Sequence, residues 1–162
     1  MPYVAIVPYA DRTYADAYFA QRLDTTTWDA ATTATKDKAL AQATSMIDRL
    51  PLVGEKCDDT QARAFPRDLD TGCADGSGDV PDEVVQACCE LARALLEGLT
   101  LEALATQSNV QSESVGDASK TYGSARGQLG VLDDNYGLPS TAAAQLLAPW
   151  LADDNAIDLV RV

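Results

Sequence analysis

The chain has 162 residues, is 46% hydrophobic and carries a formal charge of −13, from 12 Lys and Arg against 25 Asp and Glu. Its length fits one domain with a modest core. Its acidity sets up a field that repels phosphates and anionic headgroups, which disfavours nucleic-acid and membrane binding.

The first predicted element is a short helix opening at Asp11-Arg12-Thr13, with Thr13 as cap and Asp16 three residues later as its partner. Tyr14 and Tyr18 share one face of it, with Phe19 at the edge, and it is expected to stop near Leu23. Asp24 and the β-branched run Thr25-Thr26-Thr27 then read as a loop leading to Trp28. From Thr33 to Leu50, the residues Leu40, Ala43, Met46, Ile47 and Leu50 recur every three or four positions, the period of an amphipathic helix. Pro51 and Gly54 end it.

Residues 55 to 79 are rich in Gly, Asp and Thr and read as irregular chain, pinned to the body by Phe65 and Pro66. The tract from Asp70 to Asp79 lacks the ligand order and terminal glutamate of a calcium loop, so it is expected to be a turn. The strongest helix opens at Asp79-Val80-Pro81, with Asp82 and Glu83 against the positive end of its dipole. Val84, Cys88, Leu91 and Leu95 line one face with Val85, Ala92 and Leu96 beside them, a stripe wide enough to pack on more than one neighbour. Helix is expected through Glu97, with Gly98 closing it.

Leu99 to Ala105 extends that helix or restarts a short one. Residues 109 to 122 alternate small and polar groups around Val115-Gly116-Asp117 and read as an extended hairpin or arm, too polar for a core strand. Gly123, Gly127, Gly130 and Gly137 mark a linker. Pro139-Ser140-Thr141 then caps a short helix from Ala142 to Leu151, interrupted by Pro149, and Ile157 to Val162 is a candidate strand. The expected architecture is mainly α: a small helical bundle with a hairpin arm over 1–122, then a linker and C-terminal docking segment over 123–162. Leu146, Leu147, Trp150 and Leu151 are the docking candidates, because a large aromatic on a tethered amphipathic segment either docks on a partner or folds back. On the docking reading, deletion of Gly137 to Val162 leaves the bundle folded.

Nothing in the chain spells out a reaction. It has no histidine, so Ser/His/Asp and Cys/His nucleophile systems are unavailable, and no carboxylate spacing marks an acid-base pair. Its glycines match no phosphate-binding motif. We expect no enzyme, no catalytic residue, no metal and no cofactor. Cys57, Cys73, Cys88 and Cys89 contain no CxxC and are expected as small buried thiols in a reducing cytosol. No stretch reaches the roughly 18 to 20 apolar residues of a membrane helix, and Met1-Pro2-Tyr3-Val4 does not open a secretion signal. A soluble, unexported protein is expected.

Several stretches, in order, resemble the head-tail connector (adaptor, head-completion) family of tailed phages. They are Tyr14 to Phe19 followed by Trp28, Lys38 to Thr44 with Ile47-Asp48, and Gln61 through Phe65-Pro66-Arg67. Val80 to Val84, and Ser114 to Asp117 before Ser119 and Tyr122, complete the series. The resemblance implies a structural virion protein, made in the host cytoplasm and built into the neck as a ring, usually dodecameric, below the portal. By the same resemblance Val110, Ser114, Val115, Gly116 and Tyr122 reach a neighbouring subunit, and the C-terminal segment engages the portal or a tail, stopper or neck protein. The resemblance further implies that DNA passes through the lumen of the ring without specific binding, as it would along a wall that carries part of the acidic charge. Similar sequences also carry the label of DnaT-like single-stranded-DNA-binding proteins, which is the alternative. A non-viral protein-interaction adaptor acting through Trp150 is a third reading.

Overall fold

A computed structural model describes residues 6–68, 73, 79–99, 112–115, 118–121 and 136–152. Among them the fold is mainly α: α1 (Arg12–Phe19), α2 (Thr26–Ala30), α3 (Thr33–Ile47), α4 (Asp82–Leu96) and α5 (Thr141–Leu147). A two-residue pairing joins β1 (Glu55–Lys56) to β2 (Arg67–Asp68), and a hairpin joins β3 (Ser112–Val115) to β4 (Ala118–Thr121).

The bundle is organised around α4, which packs mainly against α3 and α5 and also touches α1 and α2. Its wide apolar stripe explains this, since Val84, Ala87, Cys88, Cys89, Leu91 and Ala92 are all fully buried. Alanine and cysteine at these positions let the neighbouring backbones come close. The helix ends as its glycine predicts. Gly98 takes φ +80, its N–H bonds the Leu95 carbonyl at 3.1 Å, and the Leu99 N–H reaches the Ala94 carbonyl at 3.0 Å. Those two bonds satisfy carbonyls the helix would otherwise leave open.

Three local expectations are corrected at the N-terminal end. Asp11, not Thr13, caps α1, accepting from the Tyr14 N–H at 2.7 Å. The helix stops at Phe19 because the chain tightens into three-residue bonds, Gln21 to Tyr18 and Arg22 to Phe19, before Asp24 turns it at φ 60. The Thr25–Thr27 loop is in fact the start of α2. Burial of Trp28, only 1% exposed against Phe19 with ring centroids 4.8 Å apart, overrides the weak helix preference of the threonines.

α3 ends at Ile47, three residues earlier than its apolar period suggested. Asp48 caps the helix, its N–H still bonded to the Thr44 carbonyl at 3.0 Å, while its carboxylate gathers Arg63 (3.1 Å), the Ala64 N–H (3.0 Å) and the Tyr9 hydroxyl. Burial and the Asp48 carboxylate push the Tyr9 phenol well above its ordinary pKa, so it stays a neutral donor. The chain from Pro51 to Asp68 is then held by side chains. Arg67 donates to the carbonyls of Val53 (2.7 Å), Leu52 (3.2 Å), Ala64 (3.3 Å) and Gly54. Phe65 pins the loop as expected, buried edge-on between Tyr9 and Trp150 at 5.9 and 6.2 Å.

The cysteines divide. Cys88 and Cys89 are buried thiols whose pKa burial raises, which makes them poor nucleophiles. Cys57 and Cys73, against expectation, form a disulfide across a sequence separation of 16, with Cα atoms 5.2 Å apart. The Cys57 N–H bond to the Pro66 carbonyl fixes one end of that closure beside β1. Closing a loop of this size restricts the unfolded chain by about 3 kcal/mol. Thermal melts should therefore drop on adding reductant, and a Cys57→Ser/Cys73→Ser double variant should melt at the lower temperature with or without it.

Candidate functional site

Two places were nominated by sequence, and they fare differently. In the hairpin, β3 and β4 pair Ser112 with Thr121, Glu113 with Lys120, Ser114 with Ser119 and Val115 with Ala118. Among the described residues these strands form a two-stranded sheet with no third member. Ser114 and Val115 lie on β3, whereas Val110, Gly116 and Tyr122 lie outside the described residues, as do the linker over 123–135, the candidate strand over 157–162 and most of Leu99 to Ala105.

The described part of the C-terminal segment, residues 136–152, is part of the core. Ser140 caps α5 by accepting from the Ala143 N–H at 3.3 Å, and Pro149 falls in a short 3-10 turn, Ala148–Trp150. Leu147 is 0% and Leu151 7% exposed, while Leu146 and Trp150 are half-buried against the same cluster. Backbone bonds secure the end: Val53 N–H to the Trp150 carbonyl at 2.9 Å and Ala152 N–H to the Pro51 carbonyl at 2.8 Å, around a Leu52–Leu151 bridge. Two of the four docking candidates are thus buried within the chain itself. Trp150 does have a core to join, because Phe65 supplies one.

One polar cluster was not singled out by sequence. Glu90, on α4, is 2% exposed, a costly place for a carboxylate unless its oxygens are matched. Tyr18 donates to it at 2.9 Å, Arg22 pairs with it at 3.2 Å and Arg93 at 3.4 Å. Arg93 also reaches Glu97 at 2.8 Å. Burial, reinforced by the Glu90 acceptor, pushes the Tyr18 phenol upward and keeps its proton on. Arg22 lies over the Tyr18 ring at 4.6 Å, and Tyr14 stacks on Tyr18 with centroids 6.5 Å apart. The signal available in the sequence was Glu90 set between Ala87 and Ala94 on one helical face, with Arg93 a turn on.

Next to this cluster an open cleft of about 220 Å³ is lined by Phe19, Arg22, Leu23, Asp24, Glu90 and Arg93. Its charged groups are largely matched in pairs, which suits recognition better than proton transfer. Among the described residues no group of three or more Cys, Asp or Glu side chains is arranged to hold a metal, and no helix is long and apolar enough to cross a membrane.

A family model described as "Putative DnaT-like ssDNA binding protein" matches residues 8–162. No curated protein and no solved structure matches the chain.

Proposed function

We propose that this chain, which belongs to that DnaT-like family, is a structural subunit that works as one member of a homo-oligomeric ring, in the manner of a phage head-tail connector. The observation that carries the reading is a contrast in completeness. The helices close on a core that includes both α1 near one end and α5 near the other, while the β3–β4 hairpin pairs only with itself among the described residues. A strand edge of that kind is a template for another chain. The −13 charge suits a subunit that lines a channel, since an acidic wall gives passing DNA no neutralising contacts. In this reading the partners are copies of the chain, a portal protein and a tail or neck protein. The site of action is the virion neck, and DNA is cargo that slides through.

The family's description favours a second reading, binding of single-stranded DNA. Such binding needs free cations along a groove with exposed aromatic platforms. Against it, Arg12 pairs with Asp37, Lys36 with Asp16, Arg63 with Asp48, and Arg22 and Arg93 with Glu90. Negative-stain images of the purified protein, alone and with portal protein, should show rings, and fluorescence anisotropy with a labelled oligothymidylate should stay flat. Salt-dependent DNA binding by a protein that never forms rings would replace the first reading with the second.

A further inference from the structure

We infer that Cys57 and Cys73 form a reversible thiol–disulfide exchange site for small thiols of the glutathione type. The free thiols expected from the sequence and the bond found in the structure are then two states of one pair. The four cysteines differ first in access. Cys88 and Cys89 are fully buried on α4, and the Cys88 sulfur sits 3.4 Å from the Thr44 hydroxyl and 3.6 Å from the Leu40 carbonyl. Cys57 and Cys73 are half-buried and lie outside the central apolar cluster, and Cys57 is flanked by the exposed Lys56 and Asp58. An incoming thiol reaches the second pair and not the first.

The helical body is held without the bond. The Cys57 N–H reaches the Pro66 carbonyl at 3.3 Å, and beside it Glu55 and Lys56 pair with Asp68 and Arg67. Gln61 braces the same loop, donating to the Arg63 and Pro66 carbonyls at 2.9 and 3.0 Å. On the far side α4 starts on bonds of its own, with the Pro81 carbonyl accepting the Val84 and Val85 N–H groups at 3.0 and 3.2 Å. Cys73 makes no hydrogen bond among the described residues, so the disulfide is its link to the body. Reduction removes that link, at a cost in melting temperature, and leaves the helices closed.

The same geometry lets the bond return. Cys73 follows the end of β2 by five residues, a reach of at most about 17 Å, and β2 is paired to the strand that leads into Cys57. The two sulfurs therefore stay at high effective concentration when reduced. A glutathione thiolate attacks one sulfur, and the other leaves with the bonding electron pair and takes up a proton. A second glutathione then displaces the first, so two thiols are oxidised to glutathione disulfide as the protein pair is reduced. In reverse, glutathione disulfide caps one cysteine and its neighbour resolves the mixed disulfide. The inference requires neither a ring nor DNA binding.

The test places the full chain in glutathione buffers from reducing to oxidising, followed by acid quench, alkylation and mass spectrometry. Cys57 and Cys73 should become labelled together as reduced glutathione rises and be protected again when glutathione disulfide is added. Cys88 and Cys89 should stay unlabelled until denaturant is present, and the far-ultraviolet spectrum should be the same at both extremes. Cys57→Ser should leave Cys73 to accumulate a glutathione adduct that the wild type resolves. A bond that native glutathione buffers never open, or one that never forms in the oxidising buffer, would overturn the inference. So would loss of helix on reduction, or a Cys57→Ser variant that takes up no glutathione.

Discussion

Deleting residues 137–162 should unfold the protein. Leu138, Ala143, Ala144, Leu147 and Leu151 all lie in the central cluster, with α5 packed along α4. Burial of each leucine contributes about 1.5–3 kcal/mol, so the three together rival the roughly 5–15 kcal/mol that holds a typical domain folded. The deletion also strips the partners from Val53 N–H and the Pro51 carbonyl. Circular dichroism should show lost helix and no cooperative melt. Leu147→Ala is the gentler form of the experiment, with an expected loss of about 2–5 kcal/mol and a folded product. A truncated protein that melts as sharply as the intact one would restore the docking-segment reading.

The second large effect is expected at Trp28. The side chain is 1% exposed, packs on Phe19, and lies under the Lys36 ammonium at 4.9 Å. Trp28→Ala should cost about 3–5 kcal/mol in chemical denaturation, because the bundle cannot collapse into so large a void. Trp28→Phe separates packing from the polar contact. The indole N–H donates to Asp16 at 2.8 Å, and Lys36 reaches the same oxygen at 2.9 Å. Lys36 first, then Trp28, holds the Asp16 carboxyl below its ordinary pKa. The stabilisation linked to that shift is present above the usual carboxylate range and fades as pH falls through the lowered value. Its size is modest because the Asp16 side chain is half exposed. In Trp28→Phe the Asp16 pKa, followed by carboxyl NMR, should move back up toward its ordinary value.

The helices were legible in sequence where a single periodic stripe dictated them. In α4 the apolar spacing, the acidic first turn and Gly98 all agree, and the structure keeps each of them. Legibility failed where a distant contact outweighed local preference. Nothing near Thr26 indicates that Trp28 will reach the Phe19 ring, so α2 read as loop. The apolar period of α3 runs on to Leu50, yet the helix closes at the Asp48 cap, whose carboxylate holds Tyr9, Arg63 and Ala64 from distant parts of the chain. The C-terminal segment posed a true fork between docking and folding back, and Phe65, which decides it, stands 85 residues before Trp150. Glu90 went unnoticed for the same reason: of its partners only Arg93 is a helical neighbour, while Tyr18 and Arg22 come from elsewhere in the chain.

The clasp of Phe65 between Tyr9 and Trp150 bears on how the molecule is made. A ribosome releases the N-terminal tyrosine early and the tryptophan only after nearly all of the described chain has emerged. Until then the α4 surface that α5 will cover stays open to solvent, and the nascent polypeptide is a natural client for holding chaperones. Folding is thus deferred until α5 has emerged, and conditions that stall translation between α4 and α5 should yield aggregates instead of a smaller stable product.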